Sequence, residues 1–495
     1  MKNKINILAL SVAATMLVTG CRKDYLETAS SVDVDNTLIF KTTQSATTAL
    51  DGMYRITYSH APAVGYAGGT LHSDFGQKAY DIVNDLMGND MVVNLQGYGW
   101  FNRDYQYTER AQVNDNRRPF TIWAYYYNLI KNANNIIYYI GGASGPQADK
   151  DDIKGQALAM RAFCYYNLVN YFQHTYKGNE SKPGVPLLLA PPYGSKPRGT
   201  VQQVYTQILK DLTDAEGLLT GKTQLHKSRI DIKVCQGIRA RVALTMEDWA
   251  TAASYANKAR SGFAPMSITD YKKGFNSISN PEWMWGGEVI TDQATIYASF
   301  FSHMDANAFS YAQLGGQKKI TKDLFDKINA NDVRSQVFKT TANTTNLPKY
   351  CQNKFRLANP GAWAGDYLYM RASEFYLVEA EALARQGQDA AAKTVLESLV
   401  KARYSAYSAP ASGQALLDEI LLQRRIELWG EGFSLFDIKR LKQGLNRPTG
   451  AGNHGSPSFE PRIYTLPVAD PQFLMKIPQK EIDANVTFTT DDQNP

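Results

Sequence analysis

Rings on glycine-flanked loops carry the most specific chemistry in this chain. Tyr98-Gly99-Trp100-Phe101 is followed by Arg103, Tyr105 and Tyr107. Trp283-Met284-Trp285 precedes Gly286-Gly287, and Trp363 stands between Gly361 and Gly365, with Tyr367 after it. Flat rings in such settings suit stacking on the apolar faces of sugar rings, with Asn, Asp, Gln or Arg nearby to bond the hydroxyls. Covering about 100 Å² of apolar surface contributes roughly 2.5 kcal/mol, whereas millimolar affinity already takes about 4 kcal/mol. Two or three rings plus hydrogen bonds are therefore the smallest workable site. Each ring also has a core-packing reading. Trp283 and Trp285 share one face at strand spacing and run into Glu288-Val289-Ile290, which favours a buried strand. Trp100 and Trp363 fit contact and core equally. Trp123, Trp249 and Trp429 lie on helical stripes and read as structural. The candidate ligand-binding set is Tyr98, Trp100, Phe101, Arg103, Asp90, Trp285, Trp363 and Tyr367.

Signals for catalysis are weaker. His60, His72, His174, His226, His303 and His454 form neither an H-E-x-x-H pattern nor a metal-spaced pair. No G-x-S-x-G elbow or phosphate loop is present. Asp90, Asp104 and Glu109 could supply a glycosidase's two carboxylates, but no sequence spacing reports the separation that chemistry needs. A binding protein, not an enzyme, is the expectation. The stretch from Asn84 to Val92 reads as a fixed element beside the Trp100 loop whose acids either cap a turn or bond ligand hydroxyls. Asp pairs occur in the chain without a recognisable calcium loop, so no cofactor is assigned and a structural calcium is left open. With 53 basic against 47 acidic residues, the chain shows no nucleic-acid footprint.

The most crowded set of charges runs from Arg424 to Arg440. Leu417, Leu421, Arg424 and Leu428 fall on one helical line expected to face a core, with Arg425, Glu427, Glu431, Asp437 and Arg440 around it. Desolvating a lone ion costs several kcal/mol, so charges near a core persist when paired. An Arg/Glu/Asp network locking two helices across a Gly430-Glu431-Gly432 corner is the expectation, and a solvated charged face is the alternative that the spacing fits equally.

At the amino terminus Lys2 and Lys4 precede an apolar run from Ile5 to Val18, then Thr19-Gly20-Cys21. This pattern is a secretory signal over residues 1–20, with Cys21 placed for acylation although Val18 stands where Leu is usual. Several acyl chains on Cys21 would hold the protein on a membrane, and residues 21–40 would form a tether. Cys164, Cys235 and Cys351 are too few and too scattered for a disulfide framework. Cys164 and Cys235 read as small buried residues on helices.

Amphipathic periodicity places helices at about Phe120–Ile140, Asp152–Phe172, Ile232–Met246 and Trp249–Arg260. Thr200 and Gln203 form a capping-box pattern opening another. Helices resume at Tyr369–Gln386, Asp389–Lys401, Leu416–Trp429 and Ser434–Leu441. Gly387 and Ala392 occupy the turn and close-packing positions of a tetratricopeptide repeat. The fold class is thus mostly α: helix pairs at about 120–262 and 369–441 within one domain spanning 41–495, interrupted by irregular excursions at about 58–119 and 262–366. Long irregular segments in compact proteins are usually functional.

The Arg424–Arg440 segment closely resembles the C-terminal signature of the SusD/RagB family, surface lipoproteins of Bacteroidota that bind nutrients. The resemblance extends to Arg371, Glu374 and Ala380-Glu381-Ala382-Leu383, to Ala159–Leu168, to Gly184-Val185-Pro186-Leu187 and to Ile477–Asn485. It implies a SusD-like α-helical superhelix on TPR-type pairs, with the ligand site on the excursions. It implies a cell-surface, outer-membrane location with a lipid anchor. It also implies capture of an oligo- or polysaccharide for a SusC-type TonB-dependent transporter that the protein covers like a lid. The alternative is a peptide-binding uptake protein of the RagB type. No family motif transfers ligand contacts residue by residue.

Overall fold

In the computed structural model, residues 39–60, 71–114, 117–341 and 347–495 are described. The signal segment, Cys21 and nearly all of the tether lie outside them. Helix α1 (Thr43–Ile56) opens on a capping box between Thr42 and Ser45, and α2 (Gln77–Leu86) follows. The first scaffold half comprises α3 (Arg118–Tyr139), α4 (Gln147–Phe172), α5 (Val201–Leu219), α6 (Ile232–Met246) and α7 (Trp249–Arg260). The second half comprises α8 (Ala372–Arg385), α9 (Asp389–Val400), α10 (Gly413–Glu427) and α11 (Ser434–Arg440). Consecutive helices pack as pairs, α3 on α4, α4 on α5, α6 on α7 and α8 on α9, while α7 packs on α8 and joins the halves. The result is the mostly α, TPR-like architecture expected from periodicity. Thr200 caps α5 as its sequence predicts, its hydroxyl accepting from Gln203 N–H at 3.2 Å and Gln203 Oε1 accepting from Thr200 N–H at 2.8 Å. No helix among the described residues is long and apolar enough to cross a membrane.

The described residues form four two-stranded sheets, two of which tie the excursions down. β1 (Met91–Val93) pairs antiparallel with β5 (Lys318–Ile320), and β4 (Trp283–Gly287) with β6 (Tyr367–Arg371). β2 (Pro183–Pro186) pairs with β3 (Arg198–Thr200), and β7 (Leu445–Asn446) with β8 (Thr465–Leu466).

Three expectations change. The helix expected from Tyr369 begins at Ala372, because Tyr-Leu-Tyr-Met is rich in strand-favouring aromatics and completes a ladder with Trp283–Gly287. The first excursion is less irregular than expected, since it contains α2, all ten of whose residues are buried. Even the polar face of α2 is consumed inside: Lys78 meets Asp81 at 2.9 Å and Asn84 Nδ2 donates to the Gly432 carbonyl at 3.1 Å. Finally, the core-facing line of α10 is Leu416, Ile420, Gln423 and Glu427, whereas Leu417 and Leu421 are only half buried.

The expected charge network exists and is larger than its segment. Glu427, fully buried, contacts Arg371 at 2.8 Å, Arg403 at 2.9 Å and Arg334 at 3.3 Å. Arg371 also bonds Glu282 at 2.8 Å and Glu431 at 2.7 Å, and Lys354 bonds Glu431 at 2.6 Å. Asp332 completes Arg334 at 2.6 Å. Three arginines and one lysine thus face Glu282, Glu427, Glu431 and Asp332, a balanced buried set. A neighbouring set joins α8, α10 and α11: Arg424 and Arg440 both bond Asp437, and Arg440 bonds Glu381 at 2.8 Å.

Burial by itself would raise the carboxyls of Glu282, Glu381, Glu427, Glu431 and Asp437, but their arginine partners outweigh it and hold all five below the usual range, Glu431 at about 2. Groups whose folded pKa is depressed stabilise the fold above their unfolded pKa, and that contribution is lost as pH falls through the folded value. Denaturant midpoints measured at successive pH values should therefore fall steeply between about 4.5 and 2.

The corner between α10 and α11 depends on Gly432, whose φ of 91° and contact with Asp81 leave no room for a Cβ. Asp85 caps it, accepting from Gly432 N–H at 3.0 Å and Ser434 N–H at 3.2 Å, with burial pushing its carboxyl up to about 7. Asp85→Asn retains one acceptor for two donors. It should cost about 1–3 kcal/mol in urea unfolding.

Candidate functional site

The two excursions meet where the ring loops are. Asn94 N–H donates to the Gln317 carbonyl at 2.9 Å and Leu95 N–H to Gly315 at 3.0 Å, continuing the β1–β5 ladder toward Tyr98. Gly97 sits so close to Gly316 that a Cβ there would lie 3.0 Å from its backbone nitrogen. This seam brings Tyr98 and Trp100 of the first excursion against Tyr297 and Tyr311 of the second.

Tyr311 is the hub. Its ring centroid lies 5.2 Å from Tyr98, 6.0 Å from Trp100, 5.4 Å from Tyr297 and 5.8 Å from His72. His72 stacks parallel on Tyr297 at 5.8 Å and 9°, lies 5.3 Å from Trp100, and shares a 2.5 Å hydrogen bond between its Nδ1 and the Tyr311 hydroxyl. Tyr98 is 70% exposed and Tyr297 44%, Trp100 is half buried, and the hub Tyr311 is buried at 9% exposure. Below this exposed tier lies a buried one. His303 stacks on Tyr311 at 5.1 Å and on Phe75 at 5.6 Å, and Phe101 meets His303 edge-on at 4.9 Å. Burial holds His303 well below its ordinary pKa, so it is neutral, and its Nε2 donates to the His72 carbonyl at 2.7 Å. Partial burial likewise lowers His72 and raises Tyr311, leaving both rings uncharged near neutrality. The upper tier is thus a neutral, rigidly backed set of aromatic faces, which is what stacking on a sugar requires.

The candidate residues separate into groups. Tyr98 and Trp100 form the platform. Arg103 borders it, exposed, with its Nε 2.9 Å from Glu109. Phe101 is buried in the lower tier with a φ of 65°, beneath the Arg118 guanidinium. Tyr367 is buried there too, its hydroxyl accepting from Phe300 N–H at 3.1 Å. Trp285 is 1% exposed between Phe163 and Tyr369, so its strand is core. Trp363 is half buried and makes no ring contact with the platform. Asp90 lies elsewhere. Its carboxylate takes Arg425 at 2.6 and 2.9 Å, and its carbonyl accepts from the Trp429 indole at 3.0 Å, in the wall of a cleft of about 700 Å³ lined by α10 and α11. Asp104 is tied to Arg118 through two 3.2 Å bonds. Among the described residues no group of His, Cys, Asp or Glu is arranged to hold a metal ion. Cys164, Cys235 and Cys351 are free and buried.

Sequence reading missed Tyr297, Tyr311 and His72. They lie inside the two predicted excursions, but no local pattern distinguishes them from other loop rings. Their membership depends on contacts across 239 residues of chain, as between His72 and Tyr311.

A family model described as starch-binding associating with outer membrane matches residues 72–244, and one described as the SusD family matches residues 267–495. A SusD-like carbohydrate binding protein from Bacteroides vulgatus superposes with a TM-score of 0.80 at 27% identity, covering 92% of this chain and 99% of that one. A SusD superfamily protein from Bacteroides thetaiotaomicron superposes at 0.77 with 24% identity, covering 92% and 100%. Surface glycan-binding protein A from Bacteroides thetaiotaomicron, in complex with laminarihexaose, shares the fold at 0.69 with 18% identity, covering 92% and 99%. No curated protein matches the chain. The C-terminal charge network, the paired-helix scaffold and the excursion-borne rings accord with matches that follow one another along most of the sequence, and on these grounds the chain belongs to the SusD/RagB family.

Proposed function

We propose that this protein is a cell-surface glycan-binding lipoprotein of the outer membrane that captures an oligo- or polysaccharide on the Tyr98, Trp100 and Tyr297 platform supported by Tyr311. Cys21 is its lipid anchor, and a SusC-type TonB-dependent transporter receives the ligand as the protein closes over it. The observation that carries this reading is the convergence of Tyr98, Trp100 and Tyr297 from two excursions around the buried Tyr311, on one partly exposed surface backed by a buried aromatic tier. The glycan-binding names of fold neighbours, including a laminarin binding SusD-like protein, support the ligand class. The lipobox-like Thr19-Gly20-Cys21 and the outer-membrane description of the family model support the location.

Native electrophoresis through gels cast with a panel of polysaccharides tests capture. The protein starting at Arg22 should be slowed by at least one glycan and not by the others. Slowing by none, with peptides bound instead, overturns the reading. Co-purification from outer membranes tests the partner: a TonB-dependent barrel should accompany the protein, and its consistent absence removes the delivery step.

A further inference from the structure

Beside the platform the surface changes from aromatic to cationic. A cavity of about 190 Å³ runs from Tyr98 and Trp100 to Arg103, Glu109 and Arg117. At its floor Arg118 and Asp104 neutralise each other, both nearly fully buried. Glu109 is then the one carboxylate facing two further arginines. Its Oε2 lies 2.9 Å from Arg103 Nε, and its Oε1 lies 3.6 Å from Arg117 Nε while accepting from Arg118 N–H at 3.2 Å. The Arg103 side chain is 45% exposed and that of Arg117 28%. Each approaches Glu109 most closely through Nε, and among the described residues neither pairs with another carboxylate. Two partly exposed guanidinium groups thus share one carboxylate at the edge of a stacking surface.

A planar guanidinium that reaches solvent is built for bidentate oxyanion recognition, and such charge-assisted bonds are stronger than neutral ones. Resting on the glycan-binding reading, we infer that the captured glycan is acidic: it carries a carboxylate or sulfate group next to the sugar ring that stacks on Trp100, and Arg103 and Arg117 bind that group.

The test uses three probes on the same chain: neutral galactan, homogalacturonan and a sulfated galactan. One anionic probe should bind at least tenfold more tightly than the neutral one, and whether it is the uronate or the sulfate identifies the group. Arg103→Gln and Arg117→Gln should each remove most of that preference and flatten the salt dependence of binding. Glu109→Gln keeps an acceptor for Arg118 N–H and frees both arginines, so it should tighten anionic binding. Platform-dependent binding of neutral galactan, unchanged by the arginine variants and with no anionic preference, overturns this inference and leaves glycan capture standing. Anionic binding that survives Trp100→Ala is ion exchange at the surface and also overturns it. Binding of no glycan on a wider panel removes both readings. Far-UV circular dichroism of each variant verifies that the fold is kept.

Discussion

Glu427→Gln should lower the free energy of unfolding by about 3–5 kcal/mol, the range for removing one partner of a buried ion pair. The substitution preserves volume, so it isolates charge. Glu427 is buried with 0% exposure and is shared by Arg334, Arg371 and Arg403. Neutralising it leaves four cations facing three carboxylates in a region with little water to screen the surplus. The loss is expected in urea unfolding at neutral pH. Because the three arginines outweigh burial and hold Glu427 well below its ordinary pKa, the variant should also lose part of the stability decline between about pH 4.5 and 2. A loss under 1 kcal/mol would show that the network relaxes or hydrates, and that the Arg424–Arg440 signature does not hold the helices together. Conversely, Arg425→Ala removes an ion pair whose arginine side chain is 41% exposed. It should cost far less, as partly exposed pairs do.

Trp100→Ala should weaken glycan binding at least tenfold, equivalent to about 1.4 kcal/mol. The full stacking contribution of a ring covering about 100 Å² would be roughly 2.5 kcal/mol. Trp100 is half buried and presents only part of its face, so the lower figure is the firmer expectation. Tyr98→Ala should lose a similar amount, since its ring is 70% exposed and leans on Tyr311. Trp363→Ala should leave affinity unchanged, because Trp363 touches no ring of the platform. Titration calorimetry with the retarding glycan measures all three. Equal affinities for the parent and Trp100→Ala, with the fold intact, would place capture elsewhere. The 700 Å³ cleft beside Asp90 and Arg425 would then be the next surface to probe.

How much of this was legible in advance follows the range of the forces involved. Helices depend on contacts three and four residues apart, so α6 and α7 begin and end where their periodicity places them. The same locality made Thr200 readable as a cap. Where long-range burial sets the pattern, local reading failed. α2 has no solvent face, and Tyr369–Arg371 became strand because Trp283–Gly287 was there to pair with it. The charge network shows both regimes. That Arg424–Arg440 needed partners was evident from desolvation cost. That Glu427 would find Arg334, Arg371 and Arg403 required the fold, since those arginines lie 93, 56 and 24 residues away.

The site divides the same way. From its residues alone the chain announced a mostly helical scaffold, irregular excursions and ring-rich glycine loops, because composition and short-range periodicity are properties of a segment by itself. Tertiary structure alone decided that Tyr98 and Trp100 share a surface with Tyr297, Tyr311 and His72, while Phe101, Trp285 and Tyr367 are buried. The reason is that exposure and ring-to-ring contact depend on which distant segment the β1–β5 seam sets against the loop, and no local pattern encodes that choice.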